Sequence, residues 1–172
     1  MKKNKVIRFA FSLYIILTLI ITLLPMNLSF RIDIGNINYN LIPFDFLIQR
    51  IEVLRQIYIS GYDVRNYLLP SVEIIFKSFG YNVLLFLPLG FLLPILDKNK
   101  YTLKKAMLIS FIFSVSIELM QLVIMTITST NNRCFDVDDI IANTLGGIVG
   151  FVVLKLFIFI LSNISYKTYV NK

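Results

Sequence analysis

The chain of 172 residues contains no histidine, a single cysteine and few charged side chains. Without histidine it lacks the commonest metal ligand and the commonest base at neutral pH. The single cysteine, Cys134, excludes a disulfide within the chain. Charged residues make up 16% of the sequence and hydrophobic residues 57%, whereas soluble domains average roughly 25% and 45–50%. This composition indicates a membrane protein.

The apolar residues are concentrated in four blocks, each near the length of about 20 residues that a helix needs to cross a membrane. They predict transmembrane helices at residues 6–24, 79–96, 103–126 and 139–161. Blocks without a polar face disfavour a soluble all-α protein. The first block follows several lysines, as in a signal peptide, but its length and the lack of a small-residue cleavage site predict an uncleaved helix. The predicted fold class is therefore an all-α integral membrane protein with one domain over residues 1–172.

Lysine and arginine are unevenly distributed between the two sides that these helices define. The N-terminal segment, the connection between the second and third helices and the C-terminal segment together hold ten basic residues and one acidic residue, Asp97. The other two connections have a balanced or acidic charge. Because basic residues mark the cytoplasmic side, we expect both termini in the cytoplasm. The predicted location is a cell membrane, with the Asp-rich loop before the fourth helix outside.

The long first connection contains a segment with helical apolar spacing at residues 43–58. Charged side chains are interleaved with the apolar positions, and Pro43 suits the first turn of a helix. The pattern predicts an amphipathic helix lying in the extracytoplasmic interface of the membrane. A soluble cap packed on the helix bundle has the same pattern, so both interpretations remain open.

The second predicted helix contains Pro88, Gly90 and Pro94 within seven residues. Each proline removes a backbone hydrogen bond, and in lipid a neighbouring group must satisfy the freed carbonyl. We therefore expect a bent or locally opened helix. The bend either serves packing alone or opens a polar cavity.

Polar side chains recur in the outer halves of the predicted helices. Glu118 and Gln121 lie three residues apart and therefore share one face of the third helix. At 1.5 Å per residue, Glu118 lies about 12 Å below the outer end of that helix. A carboxylate at this depth must be protonated, paired or hydrated, and it indicates either a functional site or a hydrogen bond between helices.

The start of the fourth predicted helix has a second polar stripe. Asp136, Asp139, Asn143, Gly146 and Gly150 follow one another at offsets of 0, 3, 7, 10 and 14 residues, which places them on one helical face. The two glycines have the GxxxG spacing that lets another helix backbone approach closely. This face is therefore expected to turn toward the bundle.

Together these positions predict a polar pocket that is open to the outside and walled by the second, third and fourth helices. Its predicted residues are Asn82, Glu118, Gln121, Arg133, Asp136, Asp139 and Asn143. The residues predicted to serve helix packing are Gly146, Gly147, Gly150, Pro88, Gly90 and Pro94. Arg133 is expected to pair with a carboxylate or to bind an anionic group of a ligand. Asp138 lies off the stripe and is predicted only to cap the helix N-terminus.

Four segments of the sequence resemble the VanZ-like family of bacterial membrane proteins. They are NLIPF at 40–44, NVLLFLPLGFLLP at 82–94, SIELMQ at 116–121 and RCFDVDDIIANTLGGIVG at 133–150. The spacing E-x-x-Q followed by R-x-x-D-x-D-D-x-x-x-N-x-x-G-G is specific, and the sequence does not depart from it. The resemblance implies the fold and the membrane location. The founding member of the family is associated with resistance to teicoplanin, a glycopeptide that binds peptidoglycan precursors outside the cell.

Three functions remain open. The first is a role in glycopeptide (teicoplanin) resistance or cell-envelope modification through the outward-facing pocket. The second is an integral-membrane enzyme acting on a lipid headgroup or a lipid-linked cell-wall precursor, with Glu118 and Asp136 or Asp139 as acid and base. The third is a small transporter or a membrane scaffold.

The expected partners follow from these functions. They are membrane lipids and a lipid-linked cell-wall precursor or a glycopeptide; nucleic acid is not expected, and an oligomer is compatible with the sequence. No cofactor or metal ion is expected, although two or three acids facing water can hold a divalent cation.

Overall fold

The computed structural model of the chain describes residues 2–24, 39–97, 101–128 and 134–170, with the backbone alone for 2–4 and 164–170. Four helices are long and apolar enough to cross a membrane, and they lie at Lys5–Leu23, Arg65–Leu96, Leu103–Thr128 and Val137–Asn163. Each predicted span overlaps one of them. The all-α fold class with four membrane-spanning helices is therefore confirmed.

Six α-helices follow one another in the described part of the chain. They are α1 (Lys2–Leu23), α2 (Asp45–Ile59), α3 (Arg65–Ile75), α4 (Tyr81–Leu96), α5 (Leu103–Thr128) and α6 (Val137–Val170). Two short strands, β1 (Tyr39–Asn40) and β2 (Phe135–Asp136), pair in parallel. Hydrogen bonds between helices bring the C-terminal ends of α1 and α5 together with the N-terminal ends of α4 and α6. We call this end of the bundle the polar end.

The second membrane span extends further than its apolar block. α3 continues into α4 through a π-helical turn at Phe76–Gly80, which gives a helical run of 32 residues. At 1.5 Å per residue this run is about 48 Å long and exceeds the roughly 30 Å of membrane hydrocarbon. Apolar content alone places the start at residue 79 because Glu73 and Lys77 interrupt the block. In the helix these two residues form an ion pair, with 2.5 Å between Lys77 Nζ and Glu73 Oε1.

The closest packing in the bundle is between α4 and α6, where glycines allow the two backbones to touch. A Cβ atom at Gly146 would lie 2.3 Å from the carbonyl oxygen of Val83. A Cβ atom at Gly150 would lie 1.9 Å from the carbonyl oxygen of Leu87. Any side chain at either glycine would therefore force the helices apart.

Two further glycines extend this contact toward α5. A Cβ atom at Gly90 would lie 1.8 Å from the carbonyl oxygen of Gly147, and one at Gly147 would lie 1.9 Å from Ser110 Oγ on α5. α6 therefore packs between α4 and α5 with small residues on both sides.

α4 remains α-helical through Pro88 and Pro94. The Tyr14 hydroxyl on α1 donates a 2.8 Å hydrogen bond to the carbonyl oxygen of Leu85. This carbonyl is next to that of Leu84, which Pro88 leaves without its helical N–H donor. The bend expected from the prolines and Gly90 stays a prediction.

The segment predicted as an amphipathic helix at 43–58 is helical as α2 and contains no buried residue. Next to its first turn the aromatic rings of Phe44 and Phe46 approach Phe79, at centroid distances of 6.4 and 6.1 Å. The N-terminal part of α2 therefore packs beside the π-helical turn. Its location in the membrane interface stays a prediction.

Candidate functional site

A pair of parallel strands connects two distant segments at the polar end. Tyr39 pairs with Phe135, and Asn40 pairs with Asp136. The side-chain Nδ2 of Asn40 also donates a 3.1 Å hydrogen bond to Asp136 Oδ1. The segment that precedes α2 is thus fixed to the residues just before α6, 96 positions further along the chain.

Asp138 fixes the same segment at a second point. Its Oδ1 accepts a 2.6 Å hydrogen bond from the backbone N–H of Phe44, and Asp138 is only 3% exposed. Phe44 has a left-handed backbone conformation, with φ of 61°, which is uncommon for a bulky residue. The expectation that Asp138 only caps a helix is therefore corrected. The spacing along α6 does not reveal its role because the partner lies in another part of the chain.

Asp136 and Asp139 connect α6 to the other helices. Asn82 Nδ2 on α4 donates a 2.5 Å hydrogen bond to Asp139 Oδ1. Glu118 Oε2 on α5 accepts a 3.2 Å hydrogen bond from the backbone N–H of Asp136, and Glu118 is 1% exposed. The residues at the start of α6 therefore lie at the level of Glu118, in the C-terminal half of α5.

The side-chain amides of Gln121 and Asn143 form contacts between helices. Gln121 Nε2 donates a 3.0 Å hydrogen bond to the carbonyl oxygen of Thr22 on α1. Asn143 Nδ2 donates a 2.9 Å hydrogen bond to Ser114 Oγ on α5, one turn deeper in the bundle than Asp139. Both residues are buried. Their hydrogen bonds connect α5 to α1 and α6 to α5.

A recess of about 300 Å³ opens between these helices, and we call it the polar recess. Its lining residues are Ser78, Asn82, Gln121, Cys134, Asp136 and Asp139. Fourteen residues separate Asn82 from the far end of α4 at Leu96, which corresponds to about 21 Å along the helix axis. This distance is shorter than the roughly 30 Å of membrane hydrocarbon, so the part of α4 between the recess and Leu96 is not long enough to cross a membrane by itself.

Burial and neighbouring charges change the acidity of two groups in the polar recess. Desolvation raises the pKa of Asp136 above its ordinary value; the charge of Asp138 adds to the rise, and hydrogen bonds from the Asp138 N–H and Asn40 oppose it. Desolvation also raises the pKa of the Cys134 thiol, and the negative charges of Asp136, Glu118 and Asp139 add to that rise. The Cys134 thiol therefore lies close to three acidic side chains.

The structure brings together around the polar recess four of the predicted pocket residues, Asn82, Gln121, Asp136 and Asp139, with Glu118 bonded to the backbone of Asp136. Arg133 lies outside the described residues, so its pairing stays a prediction. Within the described ranges, no group of three acidic or cysteine side chains is arranged to hold a metal ion.

Sequence reasoning missed several residues that contribute to this site. Ser78 and Cys134 line the recess, and Asn40 and Ser114 are hydrogen-bond partners of predicted residues. Asn40 and Cys134 lie within the segments that carry the family resemblance, which was the available signal. Ser78 precedes the predicted start of the second helix and offered no signal.

Comparison with known proteins identifies the family of the chain. No curated protein matches it, and no solved structure matches it. A family model described as VanZ/LLP1 matches residues 11–159, a range that includes most of each membrane-spanning helix and all residues lining the polar recess. The chain is therefore a membrane protein that belongs to the VanZ/LLP1 family.

Proposed function

We propose that this protein is a multi-pass protein of the bacterial cell membrane that binds a polar cell-envelope ligand in the polar recess and thereby alters the response to the glycopeptide teicoplanin. The association of the founding VanZ-like protein with teicoplanin resistance supports the proposal. Glycopeptides bind peptidoglycan precursors outside the cell, so a ligand site on the outer side is suitably located to affect them.

The polar recess is proposed to open to the outside, with both termini in the cytoplasm. Lys5 and Arg8 on α1 and Lys104 and Lys105 on α5 lie toward the opposite end of the bundle from the recess. Basic residues near the ends of membrane spans favour the cytoplasmic side. The aspartates at the start of α6 give the polar end the opposite charge.

The position of Asp136 is the observation that carries the proposal. Its carboxyl group lines the polar recess, and hydrogen bonds from Asn40 and the Asp138 N–H hold it in place. A recess of about 300 Å³ is at the lower end of the size range of small-molecule sites. A fixed carboxyl group in such a recess is suited to hydrogen-bond a polar ligand.

The raised pKa of Asp136 favours a second candidate, an integral-membrane enzyme that acts on a lipid headgroup or a lipid-linked cell-wall precursor. A carboxyl group with a pKa nearer neutrality exchanges protons more readily at physiological pH. In this function Asp136 transfers a proton while Asn82 and Asp139 position the headgroup.

Expression in a susceptible Gram-positive host tests both candidates. We expect the wild type to raise the inhibitory concentration of teicoplanin, and Asp136→Asn to remove most of that increase. A hydrogen bond to a charged group contributes about 1.5–3 kcal/mol, so ligand binding weakens by about tenfold or more. The matched control is Asp63→Asn, which removes an exposed carboxylate that lies 3.7 Å from Arg65 outside the recess.

The outcomes separate the two candidates. Unchanged inhibition by teicoplanin and vancomycin, with the protein demonstrated in the membrane, contradicts a role in resistance. Lipid extracts of the same strains are compared by mass spectrometry. A headgroup species whose amount depends on Asp136 supports the enzyme, and identical lipid profiles contradict it.

A further inference from the structure

A second cavity lies beside the polar recess, on the surface that faces lipid. It is a groove of about 440 Å³ between α1 and α4, lined by Ile21, Thr22, Tyr81, Asn82, Leu84 and Leu85. Ile21 and Leu84 on its two walls are 57% and 52% exposed. The groove therefore presents mainly hydrocarbon side chains to the membrane around it.

The groove and the polar recess meet at the side chains of two amides. Asn82 lines both cavities, and it bonds to Asp139 Oδ1 on the recess side and to the Ser78 carbonyl oxygen. Gln121 lines the recess and donates to the carbonyl oxygen of Thr22, a residue that lines the groove. Asn82 and Gln121 therefore form the boundary between an apolar cavity and a polar one.

A molecule that occupies both cavities must join a hydrocarbon chain to a polar head. Lipid tails are as apolar as leucine, so a chain that moves from the bilayer into the groove gains little from the hydrophobic effect. Affinity must then come from van der Waals fit along the groove and from hydrogen bonds to the head. The carboxyl oxygens of Asp136 in the recess accept hydrogen bonds, which matches a head that carries hydroxyl or amine donors.

We propose that the groove and the polar recess form one binding site for a membrane lipid with a hydroxyl- or amine-bearing headgroup. One chain of the lipid lies between α1 and α4, and the headgroup passes Asn82 to reach Asp136. The lipid enters sideways from the leaflet that surrounds the polar end. This inference rests on the proposed function, because both take the polar recess as the ligand site.

Native mass spectrometry of the purified full chain in detergent, titrated with dioleoylphosphatidylethanolamine, tests the inference. We expect the wild type to retain one lipid. Leu84→Trp fills the groove and lowers the lipid affinity by about tenfold or more, a loss of roughly 1.4 kcal/mol. Ile21→Trp, on the opposite wall, is expected to have the same effect and guards against a folding defect of one variant.

The matched control is Leu108→Trp on α5, because Leu108 is 54% exposed and lies outside the groove. It is expected to bind lipid like the wild type. Asp136→Asn is expected to weaken retention of phosphatidylethanolamine by about tenfold through the lost charged acceptor. Equal lipid retention by the wild type and both groove variants overturns the lipid site.

Drug sensitivity of the same variants distinguishes this inference from the proposed function. If Asp136→Asn abolishes teicoplanin resistance while Leu84→Trp changes neither resistance nor lipid retention, the lipid site fails and the proposed function stands. If Leu84→Trp abolishes lipid retention but the wild type confers no resistance, the resistance role fails and the lipid site stands.

Discussion

At the scale of single residues, the aspartates at the start of α6 have different partners. Asp136 bonds to Asn40, Asp138 to the backbone of Phe44, and Asp139 to Asn82. Helical periodicity predicted that Asp136 and Asp139 face the bundle, because it reports direction around a helix. For Asp138, which lies off the stripe, the prediction of a helix cap alone was wrong, because its partner Phe44 is 94 residues away in the chain.

The single cysteine provides a probe of the charge in the polar recess. We predict that iodoacetamide modifies Cys134 about threefold to tenfold faster in Asp136→Asn than in the wild type at a pH below the thiol pKa. The thiolate is the reactive form, and removing the negative charge of Asp136 lowers the thiol pKa and so increases the thiolate fraction. The rate of carbamidomethylation is measured by mass spectrometry of the intact protein.

The sign of this effect can be checked by raising the pH. Above the thiol pKa of both proteins the two rates should converge, because both thiols are then ionised. Asp63→Asn, which lies outside the recess, should label at the wild-type rate. An unchanged or slower labelling rate in Asp136→Asn would contradict the conclusion that the charge of Asp136 raises the pKa of the Cys134 thiol.

At the scale of helices and strands, local patterns predicted the elements but not all of their contacts. The offsets of Gly146 and Gly150 indicated a close helix contact, and the structure identifies α4 as the partner. The pairing of β1 with β2 was not predicted. Two-residue strands have no periodicity that can be recognised, and their hydrogen bonds join segments far apart in sequence.

The contact between α4 and α6 is predicted to be highly sensitive to added volume. Gly150→Ala should destabilise the protein by about 1–3 kcal/mol, because its Cβ would overlap the carbonyl oxygen of Leu87 and the helices must separate. Unfolding is measured by circular dichroism during titration of detergent micelles with sodium dodecyl sulfate. Val149→Ala, at a lipid-facing position that is 40% exposed, is the matched control and should change stability much less.

Equal stability losses in Gly150→Ala and Val149→Ala would contradict direct backbone contact at this point. A double substitution at the contact between α4 and α6 is a further check. If Gly90→Ala and Gly150→Ala are combined, their effects should not add, because the first helix shift already relieves part of the second clash.

At the scale of the whole molecule, the four spans alternate in direction and place the polar recess far from the chain termini. Composition and block length predicted this arrangement because lipid requires every span to be a continuous helix. The length of the second span was underestimated because the ion pair of Glu73 with Lys77 makes charged residues compatible with a continued helix.

The proposed orientation predicts which engineered cysteines a membrane-impermeant maleimide reaches in intact cells. In a Cys134→Ser background, Tyr62→Cys in the exposed turn before α3 should be labelled without lysis. Lys105→Cys, near the start of α5, should be labelled only after lysis. The reverse pattern contradicts cytoplasmic termini, and labelling after denaturation controls for expression of both variants.

The parallel pairing of Tyr39 with Phe135 has a consequence for biogenesis. A ribosome adds about 5–20 residues per second, so Tyr39 is synthesised several seconds before its partner strand exists. During that interval two membrane-spanning helices, Arg65–Leu96 and Leu103–Thr128, are synthesised while Tyr39 has no strand partner. A nascent chain arrested before Phe135 therefore contains three of the four membrane-spanning helices, but its polar end cannot yet close.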